Sequence, residues 1–394
     1  MNHSVRQQDH HSLTTQLVCA VAFCVFCFSW LFWFQADVIA VAQHVLSRGV
    51  THYDRTLGAV LVTAVLLLLQ RGVAVIVRLW RRTHALSYLP SMLLLAFISD
   101  AGSSIESGSS FWYWMIPVAL LLWAAAVWLA QKVLPFGTIE ESVGIFSRRV
   151  WTNMLLMLLM MLGVASLSNT NAVYHFRAHA EVKLAEGDAE GALMAGRESH
   201  ESDESLTLLR MYALSKRGQL GDRLFSYPVS GTSADILPTA DSHGELLLLS
   251  ADSIWRHLGG RPAPGMGVKV YLRALVSDSL ATSPALDYVL CADLIDRDVD
   301  AFVAHLDSFC ELTDTVADAL PRHYREALTL YTHLRTRPVT VYHHAVMDED
   351  WDNFQELERS YPDYSECRQA VADRYGESYW YYYFYSDKNG RKTP

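Results

Sequence analysis

No Walker phosphate loop, no dinucleotide glycine fingerprint and no His-Glu-x-x-His zinc motif occurs in this chain, so none of the familiar phosphate, nucleotide or zinc chemistries has a signature. No motif implies a cofactor. Cysteine is scarce, six in 394 residues, which excludes a small disulfide-stapled scaffold. Positive charge is in deficit, with 32 Lys and Arg against 42 Asp and Glu, a net of −10. That argues against nucleic acid as a partner, because phosphate binding needs a basic face. Period-two alternation is negligible, which leaves an all-α chain. Charge is also missing from long stretches of the first 170 residues, and those stretches are what the sequence does contain.

Residues 1–170 hold ten basic and seven acidic side chains, and residues 171–394 hold 22 and 35. The first part is built for lipid and the second for water. Residues 14–34 form an uncharged run long enough to cross roughly 30 Å of hydrocarbon at about 1.5 Å per residue. Its length, and the further runs after it, argue against a cleaved signal peptide. Residues 57–77 form a second run, interrupted by Gln70 and Arg71. Residues 86–99 are shorter and contain Pro90. Residues 110–130 carry Trp112, Tyr113 and Trp114 at one end and Trp128 near the other, as membrane interfaces favour. Residues 151–168 are the last run. The reading is a bundle of about five transmembrane helices over 1–170, with the bilayer as its first partner.

Lys and Arg prefer the cytoplasmic side. Arg78, Arg81 and Arg82 lie between the second and third runs, and Lys132, Arg148 and Arg149 between the fourth and fifth. The 100–109 loop carries only Asp100 and Glu106. Five crossings put both basic loops inside and residues 171–394 outside, in the periplasm. The 35–56 stretch also falls outside and reads as a polar membrane-edge loop.

The second part reads as paired helices. Ala172–Glu186 has apolar or small residues at helical spacing, followed by a Gly187-Asp188 turn and Ala189–Glu198. Leu206–Lys216, a Gly218 turn and Leu220–Phe225 repeat the unit 31 residues later. Helices follow at 268–278, 284–296, 299–310, from Pro321 onward, near 349–360 and at 363–375, with loops at 226–247 and 259–267. The spacing predicts a soluble α-solenoid of tetratricopeptide-like pairs. Cys291 faces a position near 304 rather than Cys310, which argues against a bridge between them.

The stretches YHFRAHAEVKLAEGD, LLRMYALSKRGQLGDRLFSYP, LPRHYREALTLY and SYWYYYFY resemble an uncharacterised family of polytopic inner-membrane proteins from Bacteroidota with a C-terminal tetratricopeptide-like domain. The resemblance implies a Gram-negative inner membrane and this architecture, and carries no activity.

Tyr379, Trp380, Tyr381, Tyr382 and Tyr383 belong to the densest aromatic run, which can grip a peptide or sugar, or else close the end of the helical array. Asp37 and Asp54, with His44 and His52, stand just after the first run, where membrane enzymes acting on lipid-linked substrates place a base or metal ligand. The plainer reading of them is a polar membrane-edge loop. His175 and His179 share a helix face near Glu181, but no third ligand follows, so the metal reading yields to a helix surface. His343 and His344 precede Asp348, Glu349, Asp350 and Asp352, which fits an acidic helix start. Cys24 and Cys27 lie inside the first run, where chance spacing explains them. The sequence therefore predicts a membrane-anchored helical-repeat scaffold for a periplasmic envelope protein or peptide. The alternative is a membrane-embedded enzyme or transport subunit acting on lipid-linked or envelope glycan.

Overall fold

The computed structural model describes residues 2–77, 81–100, 111–133, 148–310 and 319–386. Arg78, the acidic loop around Glu106 and most of the 131–149 loop lie outside them. The protein is all-α, and no strand occurs among the described residues. It divides into two compact units, Met1–His175 and Phe176–Pro394.

In the first unit four helices are long and apolar enough to cross a membrane: Thr14–Phe34, Arg55–Val77, Phe111–Lys132 and Val150–Leu167. α1 (Asn2–Ser29) ends in a π-helical turn, Trp30–Phe34. Arg55 reaches back to this turn: its Nε donates to the Phe32 carbonyl at 2.6 Å, with the guanidinium 5.1 Å from the Phe32 ring. Cys19, Phe23 and Cys27 on α1 and Leu31 in the following turn, four residues apart, make one buried stripe.

The 35–56 stretch is not simply a loop. It contains α2 (Ala36–Ser47), which buries Ala36, Val38, Ile39, Val41 and Ala42. The polar residues drew the reading away from an apolar face at helical spacing. α2 stops where Arg48 and Gly49 take positive φ of 53° and 79°.

α3 (Arg55–Val77) is followed by a 3₁₀ segment, Arg81–Tyr88, which runs into α4 (Leu89–Ser99). Then come α5 (Phe111–Val133) and α6 (Arg148–Leu167). Eleven α-helical residues rise only about 16 Å, and the steeper 3₁₀ rise extends them. The combined segment lies along α6: Ala85 N–H donates to Asn153 Oδ1 at 2.8 Å, and Asn169 N–H reaches the Ser99 carbonyl at 3.5 Å.

The second unit is built from short helices turning tightly. α7 (Ala172–Ala185) and α8 (Ala189–Met194) meet at Gly187, φ 82°. α9 (Glu204–Lys216) and α10 (Leu220–Arg223) meet at Gly218, φ 63°. α11 (Ala251–Leu258), too short to announce itself by periodicity, comes before α12 (Val268–Ser277). α13 (Ser283–Ile295) and α14 (Val299–Phe309) turn at Arg297, where Asp298 accepts the Ala301 N–H at 3.0 Å. α15 (Arg322–Leu334), α16 (Ala345–Ser360), α17 (Tyr364–Tyr375) and α18 (Tyr379–Tyr385) complete it. All six cysteines are free; Cys291 Sγ sits 3.6 Å from Tyr324 Oη in the core.

The irregular chain at 227–250 is fastened by buried charge. The Glu181 carboxylate accepts the N–H groups of Leu247, Leu248 and Leu249 at 2.5–3.1 Å. Arg210, fully enclosed, donates to the carbonyls of Ala195 and Gly196 at 3.3 and 3.1 Å, and its guanidinium lies 5.2 Å from the Tyr227 ring.

Candidate functional site

The aromatic run is first a joint. Ser378 caps α18, accepting the Tyr381 N–H at 3.2 Å. Tyr379 N–H donates to Glu326 Oε2 at 2.7 Å, and Trp380 Nε1–H donates to the Glu326 carbonyl at 2.8 Å. Tyr379 and Tyr382 hydroxyls donate to the carbonyls of Leu294 and Ile295 at 3.3 and 2.9 Å. Tyr379 and Trp380 are buried, whereas Tyr381, Tyr382 and Tyr383 remain half-exposed.

Glu326 anchors this joint from α15. Burial alone pushes its carboxyl up. His323 at 2.9 Å, Arg322 at 2.8 Å and the Tyr379 N–H outweigh burial and hold it below the usual carboxylate value.

Between α15 and α16 the chain is irregular, bending at 336–337 and 339–340, and carries Val339, the most exposed large apolar side chain among the described residues of this unit at 92%. Val341 is more than half exposed, as is Val346 in the first turn of α16. Val339 and Val341 face outward here, while Tyr342 between Val341 and α16 is buried. The stretch is held in place: Val339 N–H donates to Tyr331 Oη at 3.2 Å, and Tyr342 N–H donates to Thr332 Oγ1 at 3.2 Å. Arg335 bonds Asp300 and lies 6.0 Å from the Tyr331 ring, whose hydroxyl accepts the Val339 N–H.

The other candidate residues are placed as follows. Asp54 caps α3, accepting the Leu57 N–H at 2.7 Å, while Asp37 sits in the first turn of α2. His175 Nε2 lies 2.9 Å from the Asn169 carbonyl oxygen. Glu181 is buried beneath Leu247–Leu249; burial pushes its carboxyl up against the pull of those N–H groups and Arg177. His344 caps α16 through Met347 N–H at 3.4 Å, and His343 Nδ1 lies 3.5 Å from Asp348. Among the described residues no group of three or more His, Cys, Asp or Glu is arranged to hold a metal.

Sequence reasoning missed a buried polar cluster in the membrane-type unit. Gln70 Nε2 donates to Ser87 Oγ at 2.9 Å, and Ser87 Oγ donates to the His84 carbonyl at 2.8 Å. Ser91 Oγ donates to the Leu66 carbonyl at 2.9 Å. The His84 and Tyr88 rings meet edge to face at 5.7 Å. Gln70 Oε1, His84 Nε2 and Tyr88 Oη are buried with no hydrogen-bond partner among the described residues. Unpaired polar atoms inside an apolar bundle are unfavourable, and such groups in membrane segments mark functional positions more often than structural ones. Gln70 was the one visible signal; the rest are ordinary residues far apart in sequence.

A protein family of unknown function, DUF6057, matches residues 267–386, which run from just before α12 through α18 and include Glu326, the valine edge and the aromatic helix. The match covers under a third of the chain. No curated protein and no solved structure matches it.

Proposed function

We propose that the chain is a membrane-tethered helical adaptor. Five apolar segments hold it in the inner membrane of a Gram-negative cell, and the C-terminal unit stands in the periplasm as a tetratricopeptide-like scaffold for an envelope protein or peptide. The observation that carries this reading is the valine edge: an irregular stretch, tied to α15 by the Val339 and Tyr342 N–H groups, that leaves Val339 and Val341 open to a partner. The third apolar segment supports the five crossings, since its bonds to the last segment run from Asn153 to Asn169. The basic residues between segments support the orientation. The acidic C-terminal half favours a neutral or basic partner.

The test is a photo-crosslinking amino acid placed at Val341 and at Tyr381, with exposed Arg273 on α12 as control, in living cells. A discrete adduct at 341 or 381 and none at 273 supports the adaptor; equal or absent adducts at all three positions sink it. Thiol labelling of intact cells at a single reporter cysteine in 226–245, in a chain without its native cysteines, tests the side. Protection from an impermeant reagent there rejects the periplasmic placement.

The buried polar cluster favours a second reading, a membrane-embedded enzyme or transport subunit acting on lipid-linked or envelope glycan. Under it, His84→Ala or Gln70→Ala abolishes cellular function at normal protein level, as do Asp37→Ala and Asp54→Ala. Full complementation by all four rejects this reading.

A further inference from the structure

The membrane-type unit carries an apolar cleft of about 420 Å³ whose floor is α4 and whose walls are α5 and α6. We propose that this cleft holds one acyl chain of a membrane lipid. The inference is independent of whether the C-terminal unit binds a partner.

Four observations carry it. Every lining side chain is apolar, so the occupant needs no hydrogen-bonding group there. The indole donor of lining Trp123, Nε1–H, already donates to the Leu86 carbonyl at 2.8 Å. Water is therefore a poor tenant, because it requires two to four polar partners. Second, the cleft owes its depth to small residues, Ala96, Ala119, Ala126 and Gly163, set on facing helices. Third, α5 and α6 both contain stretches apolar enough to cross a membrane, and their outward residues Leu121, Leu155 and Leu162 are exposed, so hydrocarbon is what meets the opening. Fourth, the size discriminates between occupants. The volume lies in the range of small-molecule clefts, about 300–1,000 Å³. A helix from a second copy, with a diameter of about 10–12 Å including side chains, does not fit within it.

Hydrophobic transfer does not select this position, since a lipid tail is equally apolar elsewhere in the bilayer. The gain comes from dispersion contacts that an unfilled cleft would forfeit. The acyl chain also does a neighbour's work for α5. That helix is pinned to the third segment by two indoles, Trp112 to Asp100 at 2.6 Å and Trp123 to Leu86, while the cleft separates its other side from α6.

The test uses the full chain in nanodiscs of phosphatidylethanolamine and phosphatidylglycerol doped with a phosphatidylethanolamine bearing a mid-chain diazirine. After irradiation, peptide mapping compares lining residues of α4, α5 and α6 with Leu68 and Val75, exposed on α3. The expected result is a several-fold enrichment at the lining, abolished by Ala126→Phe or Gly163→Phe while labelling on α3 is unchanged. Equal labelling on α3 and in the cleft of the unaltered protein overturns the proposal, whatever the variants do. So does a disulfide between two copies formed at Ala126→Cys in a chain otherwise free of cysteine, because a second chain would then occupy the site.

Discussion

Glu326→Ala tests whether α18 is held from α15 as the geometry implies. The carboxylate accepts from Tyr379 N–H, faces His323 and pairs with Arg322, all at 2.7–2.9 Å and almost without solvent on its own side chain. Removing one partner of such a buried set costs about 3–5 kcal/mol, because the others are left uncompensated. The Tyr379 N–H alone accounts for about 1–3 kcal/mol of this as a buried orphan donor. In a unit of this size that corresponds to a fall in Tm of roughly 6–20 °C. The loss should be local first. Hydrogen exchange measured by mass spectrometry on the full chain should show peptides covering 379–385 losing protection, and Trp380 emission should shift to the red. The carboxyl also gives the effect a pH signature. Its folded pKa lies below the ordinary glutamate value, so its contribution is fully present above that value and is lost as pH falls through the lowered folded one. The wild-type protein should therefore release 379–385 at acid pH, and Glu326→Ala should have lost this component of acid sensitivity. Unchanged exchange at 379–385 together with an unchanged Tm in Glu326→Ala would refute the reasoning.

Three further outcomes follow from the same kind of bookkeeping. Glu181→Ala strands the N–H groups of Leu247, Leu248 and Leu249; exchange at 245–250 should rise, with a loss of about 3 kcal/mol or more, since bonds to charged acceptors exceed neutral ones. Arg210→Met removes the donor that fastens Ala195 and Gly196; trypsin or thermolysin should then cut near 196–202 faster than in the parent protein, and an unchanged rate would show the arginine to be dispensable. Gly259→Ala forces a Cβ into the Leu280 carbonyl at φ 123°, a conformation open to glycine alone; a loss of at least about 2 kcal/mol in urea melts is expected, and a neutral result would mean the α11–α12 connection adjusts freely.

The legibility of this chain depended on how locally each feature is encoded. The four long apolar helices were readable because an uncharged run of about twenty residues has few other uses in a folded chain. The turns at Gly187 and Gly218 were readable because their positive φ leaves glycine as the natural residue. Arg297 turns the chain at φ 60° without that signal, yet the flanking Asp296 and Asp298 marked it. α2 reads as loop in the sequence because Asp37, Gln43 and His44 make the stretch look polar, while the apolar face beneath them needs the whole segment. α11 is eight residues long, below the length at which periodicity distinguishes a helix from a loop. Glu326 was invisible for a different reason. A carboxylate one turn after Arg322 reads as a surface ion pair, and only the arrival of residue 379, 53 positions away, makes it a buried anchor.

That last point bears on what the matched segment 267–386 is for. Its core residues are not simply apolar: Glu326, His323 and the Tyr379 N–H join α15 to α18, while Asp293 and His305 join α13 to α14 at 2.7 Å. Buried polar joints of this kind tolerate misregistration poorly, because a shift of one helical position strands several groups at once. They fix where the valine edge at 339–346 stands relative to Tyr381 and Tyr383 on the last helix. Under the proposed adaptor reading, these joints would hold the two stretches in constant geometry toward one partner. Loosening the joint with Glu326→Ala should therefore reduce crosslinking from both Val341 and Tyr381 even though neither residue is altered. If adducts at 341 persist while α18 is released, the partner reads the valine edge alone and the aromatic helix is only its support.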